Sequence, residues 1–476
     1  MSKREAIASF FKRRQVKGMG KKQFYRSMMV IAMPIALQNL ITVGVSMMDT
    51  LMLGSLGEAA LSASALANQL FFIFTLVIYG TAGGTNVLVA QFWGRKDRES
   101  IRRTLAYTYR IVLLFAFIMV ALSLFAPRMV MHIFTNDPEV IALGADYLRI
   151  VSVSYLFFGI ATISGNVLRA VRTVRIGLIA SLVSLSVNIV LNWILIFGNL
   201  GMPEMGVSGA ALATTIARIC ECITVLVYMK YFEKKIMLKI RDLLHLDRSL
   251  RRRFIQNSVP VICNEMLWSL GFSLLTVIIG HMGTAVTAAY SIYNVVSQLS
   301  SVMSQGIAAA AAVIVGNTIG AGKQGQLKEV IARLQKAAVG VGLFAFTFVF
   351  LSRYSMPFLY DISAESMGYL MDILLIGAFL EGLRPNAFVN MIGILRGGGD
   401  AKFVLINDIL FLWTICIPLG YLCAFVWNLP VWFTFLVLRF DDVIKLGTST
   451  IRIMQGRWIK DVTREEKTIN ETEVSI

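Results

Sequence analysis

Asp49, Glu265 and Glu381 each fall inside a run of apolar residues long enough to be buried in hydrocarbon, where an ionisable side chain is costly and marks an ion or solute path. Asp49 lies five residues before Gly54, Asn192 six before Gly198, and Thr214 six after Ser208. At the helical rise per residue, all three sit about 8 to 9 Å below the same boundary. Asn188 and Asn192 are i and i+4, so both amides leave one face of their helix. One carboxylate and several oxygen dipoles in a single layer is the chemistry of holding a proton or a small cation. The alternatives are that Asp49 is an interfacial carboxylate capping a neighbouring helix, and that the two asparagines only hydrogen-bond between helices. Glu265 and Glu381 belong about thirteen to fifteen residues from the outer ends of their segments, near the midplane. Arg384 follows Glu381 at i+3 and can neutralise it, which would leave Glu265 as the titrating group; the alternative is a paired polar cluster of Glu265, Glu381 and Arg384 that only stabilises its helices.

Other chemistries lack their residues. His132, His245 and His281 are far apart, and the five cysteines (Cys220, Cys222, Cys263, Cys416, Cys423) lie in or beside apolar stretches without ligand or disulfide spacing. Neither a metal centre nor a cofactor is expected beyond a coupling H⁺ or Na⁺, and no nucleophile and base share a depth, so the chain reads as a non-enzyme. A G-x-x-x-x-G-K-[ST] loop is missing, so ATP is not an expected partner.

The elements that must hold these residues follow from composition. Of 476 residues, 57% are hydrophobic and 15% charged, too apolar for a soluble globule. Apolar stretches of about 20 residues recur, the length of a helix crossing roughly 30 Å of hydrocarbon. Helices alone satisfy the backbone there without closing a barrel, so the expected fold is all-α and polytopic. Twelve spans are expected near 27–53, 60–92, 104–126, 140–168, 175–198, 208–229, 254–279, 285–318, 331–352, 368–395, 403–426 and 430–451.

The net charge of +17 would suggest nucleic acid in a soluble protein, but here 38 of the 45 Lys and Arg residues fall in the two terminal segments and alternate loops. The opposite loops hold only Arg128 and Arg353, and Arg110, Arg149, Arg218, Arg384 and Arg439 fall within spans. Such bias places both termini in the cytosol of a cell membrane and requires an even number of spans. The basic segment 1–26 has no apolar core before the first span, so no cleavable signal is expected. The basic tail from Arg452 through Trp458 and Lys460 is expected to lie along the anionic inner leaflet.

The chain repeats itself. Residue n matches n+226 at Pro34 and Pro260, Thr50 and Thr276, Gly54 and Gly280, Gly57 and Gly283, Asn68 and Asn294, Gly80 and Gly306, and Gly94 and Gly320. A shift of 227 then pairs Leu168-Arg169 with Leu395-Arg396. Two pseudo-symmetric six-helix bundles follow, an N-terminal lobe over 27–232 and a C-terminal lobe over 254–451, joined by a basic linker at 233–253 and followed by a tail at 452–476. Repeats of equal orientation are related by an axis along the membrane normal, a plan in which a solute path lies between the halves.

The run from Leu168-Arg169 through Asn188, Asn192 and Ile194-Leu195-Ile196-Phe197-Gly198 to Gly206-Val207-Ser208-Gly209-Ala210-Ala211-Leu212-Ala213-Thr214 resembles the multidrug and toxic compound extrusion family. Met48-Asp49-Thr50, Gln91 with Gly94, Asn317 with Gly320, and Leu395-Arg396-Gly397-Gly398-Gly399-Asp400 extend the likeness over nearly the whole chain. The resemblance implies a monomeric secondary antiporter that exports small organic, often cationic, compounds in exchange for H⁺ or Na⁺, without ATP or nucleic acid. It implies a cation or proton site at Asp49, Asn188, Asn192 and Thr214, although family members can carry Asp where this chain has Asn192. It also implies a bending first helix, with Pro34 and Pro260 as hinges in the first turns of the first and seventh spans; a static kink is the alternative. Phe71, Phe72, Phe74, Tyr79, Met47 and Met48 offer either an adaptable cavity wall or ordinary packing. The rival within transport is a lipid-linked oligosaccharide flippase with a cationic cavity, for which Arg149, Arg218 and Arg384 are the candidates. From a different class, the rival is a non-transporting receptor.

Overall fold

The structure, a computed structural model, describes residues 20–236 and 248–463, and these are helical with no strand among them. Residues 1–19 of the basic N-terminal segment, 237–247 of the linker and 464–476 of the tail lie outside the described residues. The N-terminal lobe comprises α1 (Lys21–Gly54), α2 (Glu58–Arg95), α3 (Arg98–Phe125), the short α4 (Pro127–His132), α5 (Pro138–Val151), α6 (Ser154–Ala170), α7 (Arg175–Phe197) and α8 (Gly206–Val227). The C-terminal lobe comprises α9 (Arg248–His281), α10 (Thr284–Gly320), α11 (Leu327–Leu359), α12 (Ala364–Phe388), α13 (Ala401–Phe411), α14 (Ile417–Tyr421), α15 (Val431–Leu438) and α16 (Asp441–Gln455). A π-helical stretch, Val389–Arg396, prolongs α12, and two more π-helical turns carry α13 and α14 on to Val426.

Among the described residues ten helical stretches are each long and apolar enough to span, and α5 with α6 form an eleventh, bent by 50°. The twelfth expected span is interrupted at Arg439, where apolar α15 gives way to the polar α16. The bundle is that of a multi-span membrane protein.

Local chemistry sets the helix starts. Gly57 and Gly283, equivalent in the repeat, precede α2 and α10 with φ of 112° and 121°, a region that favours glycine. Asp97 accepts from Ser100 N at 3.0 Å to cap α3, and Asp137 caps α5 ahead of Pro138. Helices α1 and α9 begin at Lys21 and Arg248, before the apolar stretches do, because charged residues continue a helix beyond hydrocarbon. Pro34 and Pro260 therefore lie well inside their helices and not in first turns, which corrects the sequence expectation. Each removes the N–H that would have met the carbonyl four residues earlier, that of Val30 or Gln256.

The lobes join through two symmetry-related contacts, α1 on α10 and α2 on α9, and through α2 on α10 between them. Glycines make the close approach possible. A Cβ at Gly80 would stand 2.5 Å from Ile262 Cα, and one at its repeat partner Gly306 would stand 2.7 Å from the Ala32 carbonyl. Toward the end that carries the basic loops, Gly94 packs on the Asn317 carbonyl and Gly320 on that of Gln91. At the opposite end Gly54, Gly57, Gly280 and Gly283 have nothing within 4 Å of where a Cβ would be. The lobes thus close against one another at the basic end.

The segment after α16 crosses this closed end instead of leaving for the lipid surface. Trp458 is 1% exposed and packs on Gly398. Asp400 draws Arg452 (2.8 Å) and Lys460 (2.6 Å), and Lys460 N donates to Gly398 O at 2.9 Å. On the other lobe, Gln91 donates to Lys460 O at 3.1 Å and accepts from Val462 N at 2.9 Å, while Arg95 donates to Thr463 at 2.6 Å. The leaflet reading of Arg452, Trp458 and Lys460 is corrected, because the buried carboxylate of Asp400 claims the two cations.

Gly320→Leu should wedge the seam and cost about 1 to 3 kcal/mol, read as a lowered Tm in detergent. Gly340→Leu, at a site where an added Cβ meets nothing within 4 Å, should leave Tm nearly unchanged. Equal Tm values for the two variants would contradict a glycine-dependent seam.

Candidate functional site

Asp49, near the end of α1, meets α7 and α8 through a short hydrogen-bonded series. Asn192 Nδ2 donates to Asp49 Oδ1 at 2.6 Å and to Asn188 Oδ1 at 3.3 Å, and Asn188 Nδ2 donates to Thr214 Oγ1 at 3.4 Å. The structure thus brings together all four residues singled out in the N-terminal lobe. Asn188 and Asn192 are buried, Asp49 is half-buried, and Asn192 Oδ1 has no hydrogen-bond partner. No cationic side chain among the described residues lies within ion-pair distance of Asp49, whereas an electrostatic influence of Arg218 reaches it.

Between the lobes is a cavity of about 550 Å³. Polar and apolar side chains share its walls about equally, with Gln38, Asn39, Asn86, Asn166, Gln298 and Gln305 among the polar ones, and Asn39 donates across the lobes to Gln305 at 3.3 Å. Five charged residues line it: Arg169, Arg218, Glu221, Glu265 and Arg396. Arg218 pairs with Glu221 at 2.8 Å and lies over the Phe158 ring at 5.0 Å; Arg396 pairs with Glu265 at 3.0 Å. Of the aromatic and methionine residues considered as cavity wall, Phe71 and Tyr79 line it. Phe74 is core, and Phe72 and Met47 are exposed but outside the cavity lining.

In the C-terminal lobe the expected cluster divides. Arg384 Nη1 meets Glu381 Oε1 at 2.6 Å, as the i, i+3 spacing suggests, but Glu265 is held by Arg396 and is not left unpaired. Ser297 and Tyr293 donate to Glu381 at 2.6 and 3.3 Å, and Arg384 Nε reaches Asp442 at 3.5 Å. A second series runs from Arg396 to Asn264 (2.8 Å), from Asn264 to Asp408 (2.8 Å), and from Lys445 to both Asp408 (3.1 Å) and Asp441 (2.8 Å). Asp441 and Asp442 are consecutive, so paired charges connect the cavity wall to the lobe interior.

Sequence reasoning missed Arg396, Asp408, Asp441, Asp442 and Lys445. Arg396 and Lys445 were counted with the basic loops, yet they are 8% and 5% exposed. The available signal was the Leu168-Arg169 and Leu395-Arg396 match, which places both arginines at equivalent points of the two lobes. Of the other intramembrane arginines, Arg149 pairs with Asp146 at 2.9 Å on the surface, away from the cavity.

Two helical lobes around a cavity of mixed polar and apolar lining, with charged side chains held at membrane depth, define a multi-span membrane transporter. The MatE family model matches residues 34–194 and 260–422, one segment in each lobe. The chain belongs to the multidrug and toxic compound extrusion family. A probable multidrug resistance protein NorM of Agrobacterium fabrum is 26% identical over 456 residues, covering 93% of this chain and 95% of the relative. Another protein so described, from Bradyrhizobium diazoefficiens, is 29% identical over 412 residues, with 83% and 85% covered. Two solved structures share the fold. An outward-facing multidrug resistance MATE family transporter superimposes with a TM-score of 0.82 at 17% identity, covering 94% of this chain and 100% of that one. A MOP superfamily transporter of Pyrococcus furiosus, described as having a binding pocket of reverse polarity, gives 0.82 at 18% identity with the same coverage.

Arg384→Gln removes a cation that two buried carboxylates share, and should destabilise the protein by about 3 to 5 kcal/mol. Adding Glu381→Gln should restore part of the loss, read as partial recovery of Tm. Strict additivity of the two substitutions would show that the pair is not coupled.

Proposed function

We propose that this chain is a secondary antiporter that exports small organic compounds, drugs or metabolites, in exchange for H⁺ or Na⁺ by alternating access between its lobes. The observation that carries the reading is the N-terminal cluster. A half-buried carboxylate in a membrane helix, with no cationic side chain among the described residues at ion-pair distance, is kept at a cost unless it exchanges a positive partner. Asp49 can take a proton, or share Na⁺ with the oxygens of Asn188, Asn192 and Thr214. The orphaned Asn192 Oδ1 supports this. In the present orientation its amide nitrogen separates Asp49 from Asn188, and turning the amide over would gather three oxygens at one point, an arrangement favourable only around a cation.

The relatives named as multidrug resistance proteins support the export of varied solutes. The seam closed at the basic end supports a state open toward the other side. Since basic loops face the cytosol, that state presents the cavity to the exterior. The flippase alternative needs a cavity rich in free positive charge for a pyrophosphate, and the pairing of Arg218 and Arg396 with carboxylates argues against it.

In liposomes, Asp49→Asn should fold normally and lower gradient-driven dye efflux by at least about tenfold, because it deletes the exchanging charge. Imposing a proton gradient and then a sodium gradient identifies the ion. Undiminished efflux by Asp49→Asn would remove Asp49 from the coupling step.

A further inference from the structure

The two lobes treat equivalent arginines differently. Arg396 donates to Glu265 at 3.0 Å through Nη1 and to Asn264 at 2.8 Å through Nη2. The repeat places Gln38 at the position of Asn264, Asn39 at that of Glu265 and Arg169 at that of Arg396. Arg169 keeps the weaker half of this arrangement, a 3.4 Å hydrogen bond from Nη2 to Gln38 Oε1. The carboxylate is missing from its surroundings because the counterpart of Glu265 is the neutral Asn39, whose amide is turned to Gln305. Among the described residues no carboxylate lies within ion-pair distance of Arg169, and its side chain lines the cavity. Of the five charged residues in that lining, four form two pairs and one guanidinium remains.

We infer that Arg169 is the receptor for an anionic group of the transported solute, and that this protein carries compounds bearing a carboxylate or comparable oxyanion. The inference rests on the transport reading above and gives it a solute class. A planar guanidinium offers two parallel N–H donors that match the two oxygens of a carboxylate, and the partly buried cavity screens the pairing less than bulk water does. The remainder of the solute meets the rings of Phe71, Tyr79 and Phe158 on neighbouring faces of the same lobe. A permanent organic cation, by contrast, finds both carboxylates of the lining already claimed by Arg218 and Arg396. The often cationic substrate expected from the sequence is thereby required to carry an anionic group as well, as a zwitterion does.

The test uses the full chain in lipid nanodiscs at neutral pH, with carboxyfluorescein binding followed by anisotropy and ethidium binding by fluorescence. The wild type should bind carboxyfluorescein. Arg169→Gln should weaken that binding by about tenfold or more, and Arg169→Lys, which keeps the charge but loses the fork, by clearly less. Asn39→Asp supplies the carboxylate that the other lobe has and leaves Arg169 in place; it should also weaken carboxyfluorescein binding while sparing or improving that of ethidium. Failure of the wild type to bind carboxyfluorescein overturns the assignment. So does binding that is unchanged in both Arg169→Gln and Asn39→Asp. Gradient-driven ethidium efflux in liposomes separates the two levels. If ethidium moves but carboxyfluorescein does not bind, the anionic assignment falls and transport stands. If carboxyfluorescein binds in the predicted order but no solute moves under any gradient, transport falls and the binding assignment stands.

Discussion

A charge taken out of water into a helical bundle must find an opposite charge or a set of dipoles, and this constraint organises both lobes. The C-terminal lobe meets it with ion pairs. Arg384, Arg439 and Lys445 are interleaved with Glu381, Asp408, Asp441 and Asp442, and the same series reaches the cavity through Asn264 and Arg396. Around Asp49 the N-terminal lobe meets it with amides. One half of a duplicated chain has become a fixed ionic framework, while the other keeps a carboxylate and a guanidinium that have no fixed ionic partner among the described residues.

That division needs a stable arrangement of the lobes. Small residues at Gly80, Gly306, Gly94 and Gly320 let helix backbones approach where hydrocarbon offers no hydrophobic drive for association. The crossing of residues 458–463 adds polar contacts from Gly398 and Asp400 on one lobe to Gln91 and Arg95 on the other. Gly94, Gly320 and this crossing lie toward the basic end, so the lobes are held together there.

Much of this architecture is legible in the amino-acid sequence. Hydropathy and the alternation of basic loops defined the spans, and the spacing of Asp49, Asn188, Asn192 and Thr214 put them at one depth, where the structure joins them. Hydropathy failed where a charge closes a span. Arg396 and Lys445 end apolar runs and were therefore counted as loop residues, yet Glu265 with Asn264, and Asp408 with Asp441, bury them. The sequence carries no direct sign of the Glu265–Arg396 and Asp408–Lys445 pairs, whose members are 131 and 37 residues apart and meet only on folding, whereas Asp441 and Lys445 are an i, i+4 pair that helical spacing does suggest. The positions of Pro34 and Pro260 were misjudged for a related reason: a helix continues past the apolar boundary into water, where hydropathy no longer follows it.

Helix α1 ties the two unusual charges together. Gln38, which touches Arg169, and Asp49, which touches Asn192, are on the same helix and eleven residues apart, about 16 Å along its axis. Both lie beyond Pro34, where the missing N–H leaves the helix easier to bend. The part of α1 before the proline is packed into the other lobe, with Phe24, Met28 and Ile31 buried against Ile307 and its neighbours. One end of the helix is therefore anchored across the seam and the other carries contacts to both the cavity-lining Arg169 and the Asn188–Asn192 pair. A tilt of α1 about Pro34 alters the surroundings of Arg169 and Asp49 together, so on the antiport reading proposed above solute and ion occupancy would share one mechanical element without a long chain of side chains between them.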